Sequence, residues 1–214
     1  MPDLVPLQVK VWGDIACFTR PEMKVERVSY PVMTPSAARG VLEAIFWKPE
    51  MTWRVIEIWV LKPIRYFSIL RNEVKSKQSE RTAQAWAHRG GVYVAAEDRA
   101  QRHTLALRDV AYLIHAQIDL RPGVTDDVAK YRDQFRRRVA RGQCFSTPYL
   151  GCREFSASFG EPDGSERPID VTEDLGRMLL DLDYAADGSG RGRPRFFAAR
   201  LERGILRVPP RGEA

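Results

Sequence analysis

The sequence predicts an α+β protein: a ferredoxin-like βαββαβ domain over residues 1–160, followed by a small β-rich C-terminal domain over residues 161–214. Three observations predict it. Runs rich in β-branched and aromatic residues stand at Leu7–Ala16, Trp53–Val60 and Thr104–Leu120. Helical patterns follow Thr34-Pro35 and precede Gly142, so that to residue 159 the order reads strand, helix, strand, strand, helix, strand. The turn-rich segment Glu161–Glu166, EPDGSE, then marks the boundary.

Each element has a local cause. LQVKVWGDIA alternates partially and carries the β-branched residues of a strand. Arg20–Arg27 is a polar, charge-mixed loop, and Pro31 keeps the short extended Val28–Val32 off a central strand. Thr34 is the N-cap and Pro35 the first residue of a helix whose Ala38, Val41, Leu42, Ile45 and Phe46 are spaced for one buried face; Pro49 stops it after Trp47 and Lys48. Extended chain continues over Pro63–Leu70. The polar stretch Asn72–Arg89, closed by Gly90-Gly91, reads as a long mobile insertion. Arg121-Pro122-Gly123 turns the chain after the third long run. Thr125 caps the next helix, with Asp126 and Asp127 at its start, where the helix dipole favours carboxylates. Cys152–Phe159 is a further strand candidate. The tail offers Arg177–Tyr184, a flexible glycine loop at Asp187–Gly192, and a hairpin over Phe196–Val208 turning at Glu202-Arg203-Gly204.

At 214 residues with 44% hydrophobic content, the chain can bury a real core. Its net charge of +6 and pI near 9.4 favour an anionic partner, a modest signal because 28 acidic residues dilute it. Three cysteines (Cys17, Cys144 and Cys152) at unpaired spacings argue against a disulfide framework and a zinc site; no cofactor is expected. The N-terminus has no apolar signal core, and Trp53–Leu61 is interrupted by Arg54 and Glu57. The chain therefore reads as a cytoplasmic protein without a membrane partner.

The stretch KYRDQFRRRVARGQCFSTPYLGCREF, Lys130–Phe155, concentrates the cationic signal. On a helical wheel Lys130, Arg137 and Arg141 share a narrow sector, while Val128, Tyr131, Phe135 and Val139 form the stripe to be buried. The predicted element order is also the framework of RNA-recognition domains (RRM-like), but the strands lack a recognisable aromatic RNA-binding signature. RNA would therefore meet basic helix and loop surfaces. Duplex DNA is a further partner that composition allows without specifying.

The segments VWGDIACFTRPEMKVERVSYPVMTPSAARGVLEAIFWKP, LRDVAYLI and RGQCFSTPYLGCREFSA closely resemble the RNA-processing subunit of subtype I-C CRISPR systems. That subunit is the D-type branch of the fifth CRISPR-associated protein family, within the repeat-associated (RAMP) superfamily. The resemblance is least exact in Asn72–Gly91 and in the tail. It implies a metal-independent endoribonuclease that cuts CRISPR repeat RNA near the base of its hairpin. It also implies retention of the 5′ handle of the mature crRNA beside the other subunits of a surveillance complex. The chemistry implied is attack of a ribose 2′-OH on its own phosphate, needing a base, an acid and a cation. Family members with a defined triad use a Tyr at the end of the first helix and a Lys-His pair at the start of the second. The resemblance sets Phe46 at the Tyr position, Lys130 on the Lys and Tyr131 on the His. Phe46 is non-ionisable. Tyr131 has packing in the buried stripe as its alternative role. The RNA-binding candidates are Lys48, Arg137, Arg138, Arg141, Arg153, Lys24 and Arg27. Arg153 has pairing with Glu154 or another carboxylate as its alternative. The functional alternative is a structural subunit that holds the 5′ handle with little or no cleavage.

Overall fold

A computed structural model describes residues 5–23, 25–76, 79–184 and 192–210. Lys24 and most of the glycine loop predicted at 187–192 lie outside the described residues. The elements are β1 (Leu7–Ala16), β2 (Arg27–Val28), α1 (Pro35–Ile45), β3 (Met51–Val60), β4 (Tyr66–Val74), α2 (Glu80–Arg89), β5 (Arg99–Leu120), α3 (Val128–Ala140), β6 (Ser158–Gly160), β7 (Glu173–Tyr184), β8 (Gly192–Glu202) and β9 (Ile205–Arg207). One sheet runs β6-β1-β5-β3-β9-β8-β7, with β2 and β4 added beside β5. The protein is thus a mixed α/β structure dominated by an antiparallel sheet. Among the described residues, no helix is long and apolar enough to cross a membrane.

The long β5 organises the sheet. Its second half lies between β1 and β3, with Val9 opposite Ile114 and Ile58 opposite Ile114 from the other side. Its first half pairs with β4, from Tyr66 opposite Leu107 to Val74 opposite Arg99. Asp109, with φ 53°, stands between the halves, and Lys62 donates to its carboxylate from the β3–β4 connection. Within the stretch expected to be a mobile insertion, residues 72–74 complete β4 and Glu80–Arg89 form the helix α2. Ser79 caps α2 by accepting from Thr82 N at 3.1 Å, and no residue of α2 is buried. Polarity misled here: without a buried residue, α2 is held by the Ser79 cap at its start and by Trp86 stacked on Tyr93 at 6.0 Å.

Helix α1 starts where the sequence sets it, with Thr34 Oγ1 accepting from Ala37 N at 3.2 Å. It stops at Ile45, earlier than Pro49 suggests, since Phe46 is already extended (φ −154°, ψ 123°). Outside donors replace the next turn. Phe145 N donates to Ala44 O at 2.8 Å, Arg138 Nη1 to Ile45 O at 2.8 Å, and Trp53 Nε1 to Phe46 O at 2.8 Å. These satisfy carbonyls that a helix end leaves unpaired.

Helix α3 begins two residues later than expected. Asp127, not Thr125, is its N-cap, with Oδ1 accepting from Ala129 N at 2.9 Å. Tyr131, Phe135 and Val139 are buried as the stripe requires, and Phe135 meets Trp53 edge-on at 4.7 Å. α1 packs on β3 and β7, and α3 on β1 and β5.

The strand expected at Cys152–Phe159 shrinks to Ser158–Gly160, paired with β1. The preceding residues satisfy their backbone within a turn, through Leu150 N to Phe155 O at 2.7 Å and Ala157 N to Pro148 O at 2.9 Å. The C-terminal hairpin turns at Arg203-Gly204, both with positive φ, as a two-residue hairpin turn requires. Its β9 pairs with β3, joining the C-terminal strands to the main sheet. The Glu161–Glu166 segment is anchored as well. Lys10 Nζ donates to the buried Glu166 at 2.9 Å, and Gly164 N does the same at 2.9 Å.

Candidate active site and RNA-facing surface

The start of α3 gathers the groups with chemistry. Capping by Asp127 fixes the helix register, which puts Asp126 one residue outside it and one turn before Lys130 and Tyr131. Both side chains reach back to a single oxygen. Lys130 Nζ stands 2.9 Å from Asp126 Oδ2, and the Tyr131 hydroxyl donates to that same atom at 2.6 Å. Lys130 also lies 5.5 Å from the Tyr131 ring centroid, a cation–π distance. The Lys130 side chain is 63% exposed and that of Asp126 42%, whereas Tyr131 is buried.

The electrostatics follow from this geometry. The hydrogen bond to Asp126 pushes the Tyr131 phenol up to about 12, with burial and the charges of Asp126 and Glu50 adding to it. The bonds from Tyr131 and Lys130 hold the Asp126 carboxyl below its usual range, against a small contribution from burial. At neutral pH Asp126 is therefore a carboxylate and Tyr131 a neutral phenol.

Asp126 also lines a cleft of about 630 Å³ between the ends of β3 and β5 and the start of α3. Arg54, Arg121 and Arg132 contribute to its wall. Arg54 is paired with Asp119 at 2.9 Å, and the buried Arg132 donates to Val5 O at 2.6 Å.

The family position at Phe46 is separate from this cluster. Phe46 is buried, and its ring faces the Arg138 guanidinium at 5.5 Å, two helical turns beyond Tyr131. It serves the core and the junction of the two helix ends. Arg138 is half-buried there, with Nη1 committed to Ile45 O. Lys48, Arg137 and Arg141 are exposed around the same junction. Arg153 is exposed but is not paired with Glu154, whose carboxylate instead takes Arg71 and lies 3.9 Å from Arg27. Arg27 points inward: Nη1 donates to Cys152 Sγ at 3.0 Å, and Nη2 is 3.5 Å from Glu73.

Two residues gain importance only in three dimensions. Asp126 reads in sequence as a helix-dipole carboxylate, although its four-residue spacing from Lys130 is a legible signal. Phe145 reads as one aromatic in a loop. It is 86% exposed on backbone pinned to Ala44 O at 2.8 Å.

Comparison with known proteins places this fold among CRISPR-associated proteins. A solved structure described as a CRISPR-associated protein aligns with TM-score 0.67 at 22% identity, covering 97% of this chain and 93% of that one. A functionally uncharacterised protein from Streptococcus mutans aligns with the same figures. A chain of a CRISPR RNA-guided surveillance complex aligns with TM-score 0.51 at 16% identity, covering 95% of this chain and 91% of that one. These likenesses establish the fold alone. The family model for CRISPR-associated protein Cas5, in its Cas5d form, matches residues 7–209, and the chain belongs to this family. Two curated relatives carry the name CRISPR pre-crRNA endoribonuclease Cas5d. The one from Thermus thermophilus is 48% identical, with 95% of this chain and 91% of the relative covered. The one from Mannheimia succiniciproducens is 44% identical, with 95% of each covered.

Proposed function

We propose that this protein is an endoribonuclease that cuts precursor CRISPR RNA near the base of the repeat hairpin without a metal ion. It then keeps the 5′ handle of the mature crRNA within a subtype I-C surveillance complex. The observation that carries the reading is the Lys130–Tyr131 pair, set beside an arginine-containing cleft in a chain 44–48% identical to curated pre-crRNA endoribonucleases. The antiparallel order β6-β1-β5-β3 supports a ferredoxin-like assignment for residues 1–160, since it sets the fourth strand beside the first and the third between the first and second. Residues 161–214 are then a β-rich addition that extends the sheet from β3.

In this reading Lys130 contacts the scissile phosphate, and the α3 end manages the 2′ proton. Lys48, Arg137, Arg141 and Arg153 supply phosphate contacts along the exposed surface. Incubation with repeat RNA in EDTA tests the reading, alongside RNA carrying a single 2′-deoxy nucleotide before the cut. Cleavage that persists in EDTA and disappears with the deoxy substrate is the expected result. Tight binding by folded protein without any cleavage would leave the handle-binding subunit as the function. The buried, non-ionisable Phe46 is the observation that favours this second reading.

The exposed Phe145 is assigned as a platform for an unpaired base. Base–aromatic stacking contributes about 1–3 kcal/mol per base. Phe145→Ala is therefore expected to weaken repeat-RNA binding about ten-fold in a filter-binding titration, with an unchanged melting temperature. Full affinity in that variant would remove the stacking role.

A further inference from the structure

The family comparison leaves the α3 end without a histidine, and Tyr131 is poorly suited to replace it. Its ring is buried, and its phenol is held protonated far above neutrality. The carboxylate it bonds is exposed, ionised and part of the cleft wall. We infer that Asp126 is the general base of the cleavage reaction, that Tyr131 positions it, and that Lys130 is the partner acid. This rests on the proposed assignment of the cleavage site to the start of α3.

The geometry supplies a closed proton circuit. Asp126 takes the proton of the attacking 2′-OH as the O2′–P bond forms. The P–O5′ bond breaks, and the leaving O5′ takes a proton from the Lys130 ammonium. The products are a 2′,3′-cyclic phosphate and a 5′-OH. Asp126 then returns its proton to the neutral Lys130 amine across their 2.9 Å contact, with no other reactant needed. In the RNA-free protein the carboxylate occupies the ammonium that the phosphate later claims. The Tyr131 hydroxyl, at 2.6 Å on Oδ2, keeps the carboxylate aimed while Lys130 changes partners.

The charged groups around Asp126 are few enough to name. Lys130 and Tyr131 face it from α3, with Arg132 on the same helix lining the cleft. Arg121 and Asp127 flank it in the β5–α3 connection, Arg54 from β3 and its ion-pair partner Asp119 from β5 line the cleft, and Glu50 acts on Tyr131 from the α1–β3 turn. The active form is the ionised carboxylate, so rate is lost as pH falls through the Asp126 pKa. In the RNA-free protein that pKa is depressed, the Tyr131 bond being the largest cause, and this bond stays when Lys130 changes partners, so the loss occurs well below the range of a histidine base. Removing the Tyr131 hydroxyl takes away the largest depressing contact and moves the loss to higher pH.

The test is single-turnover cleavage of repeat RNA across acidic to neutral pH by the wild type, Asp126→Asn and Tyr131→Phe, with melting temperatures as folding controls. Asp126→Asn is expected to lose about a hundred-fold or more at neutral pH. It should bind uncleavable 2′-deoxy RNA about two-fold more tightly, the scale of a lost exposed ion pair. Tyr131→Phe is expected to lose about ten-fold, with its acid limb shifted upward. Wild-type-like cleavage by folded Asp126→Asn overturns the inference, as does an unshifted acid limb in Tyr131→Phe. A wild-type protein that binds repeat RNA but does not cut it overturns the underlying site assignment instead.

Discussion

Lys130→Ala is expected to slow single-turnover cleavage of repeat RNA by about two to three orders of magnitude, the scale of removing one aligned group that acts on transition-state charge. Affinity should fall only a few-fold. Lys130 is one exposed cation among several on this face, and the salt dependence of binding should change by no more than about one phosphate contact, roughly 0.7 in the slope for single-stranded RNA. The split between rate and affinity is the informative quantity. If both fall equally, Lys130 is a binding residue and nothing more. Lys130→Arg sharpens the result, because guanidinium keeps the charge but does not give up a proton. Arginine should restore affinity and leave cleavage slow; restored cleavage would mean that charge alone is required.

The second large effect is structural. Gly151 has φ +87°, and a Cβ built there would lie 2.1 Å from the Cys17 carbonyl oxygen at the end of β1. Neither side yields easily, since both contacts are backbone and Cys17 N is tied to Leu150 O at 3.0 Å. Gly151→Ala combines a left-handed non-glycine residue with a steric clash, each costing about 1–3 kcal/mol. The melting temperature is expected to fall by roughly 10 °C, at about 2–4 °C per kcal/mol for a chain of this size. A calorimetric scan checks this. An unchanged melting temperature would mean that the β1–turn junction opens at little cost, and that the turn does not hold β1 against the Cys152 region.

The two variants probe different kinds of legibility. Lys130 was visible in sequence, because a cation at a wheel position opposite an apolar stripe must face solvent, and the family resemblance implies a role for it. Gly151 was visible only as a glycine in a loop. Its necessity comes from the approach of residue 17, more than a hundred positions away in the chain. Helix α1 divides in the same way. Thr34-Pro35 sets its start through local hydrogen bonding and φ restriction. Its end at Ile45 depends on Phe145, Arg138 and Trp53, which arrive from elsewhere in the fold. The helix Glu80–Arg89 within the expected insertion was not legible for a related reason: composition reports solvent exposure, and an exposed N-capped helix has the composition of a loop.

The sequence by itself determined the alternating strands β1, β3 and β5, the capped start of α1, the buried stripe of α3, the Arg203-Gly204 hairpin and the family. All of these rest on spacing within a few residues or on long contiguous motifs. Tertiary structure alone decided the surroundings of the candidate site residues. It buried Phe46 in a helix junction, turned Arg27 inward onto Cys152, paired Glu154 with Arg71, and brought Asp126 into bonding distance of both Lys130 and Tyr131. The physical reason is that a side chain's chemistry depends on burial and on its nearest charges. Those are set by which segments the sheet and helices bring together, not by neighbours in the chain.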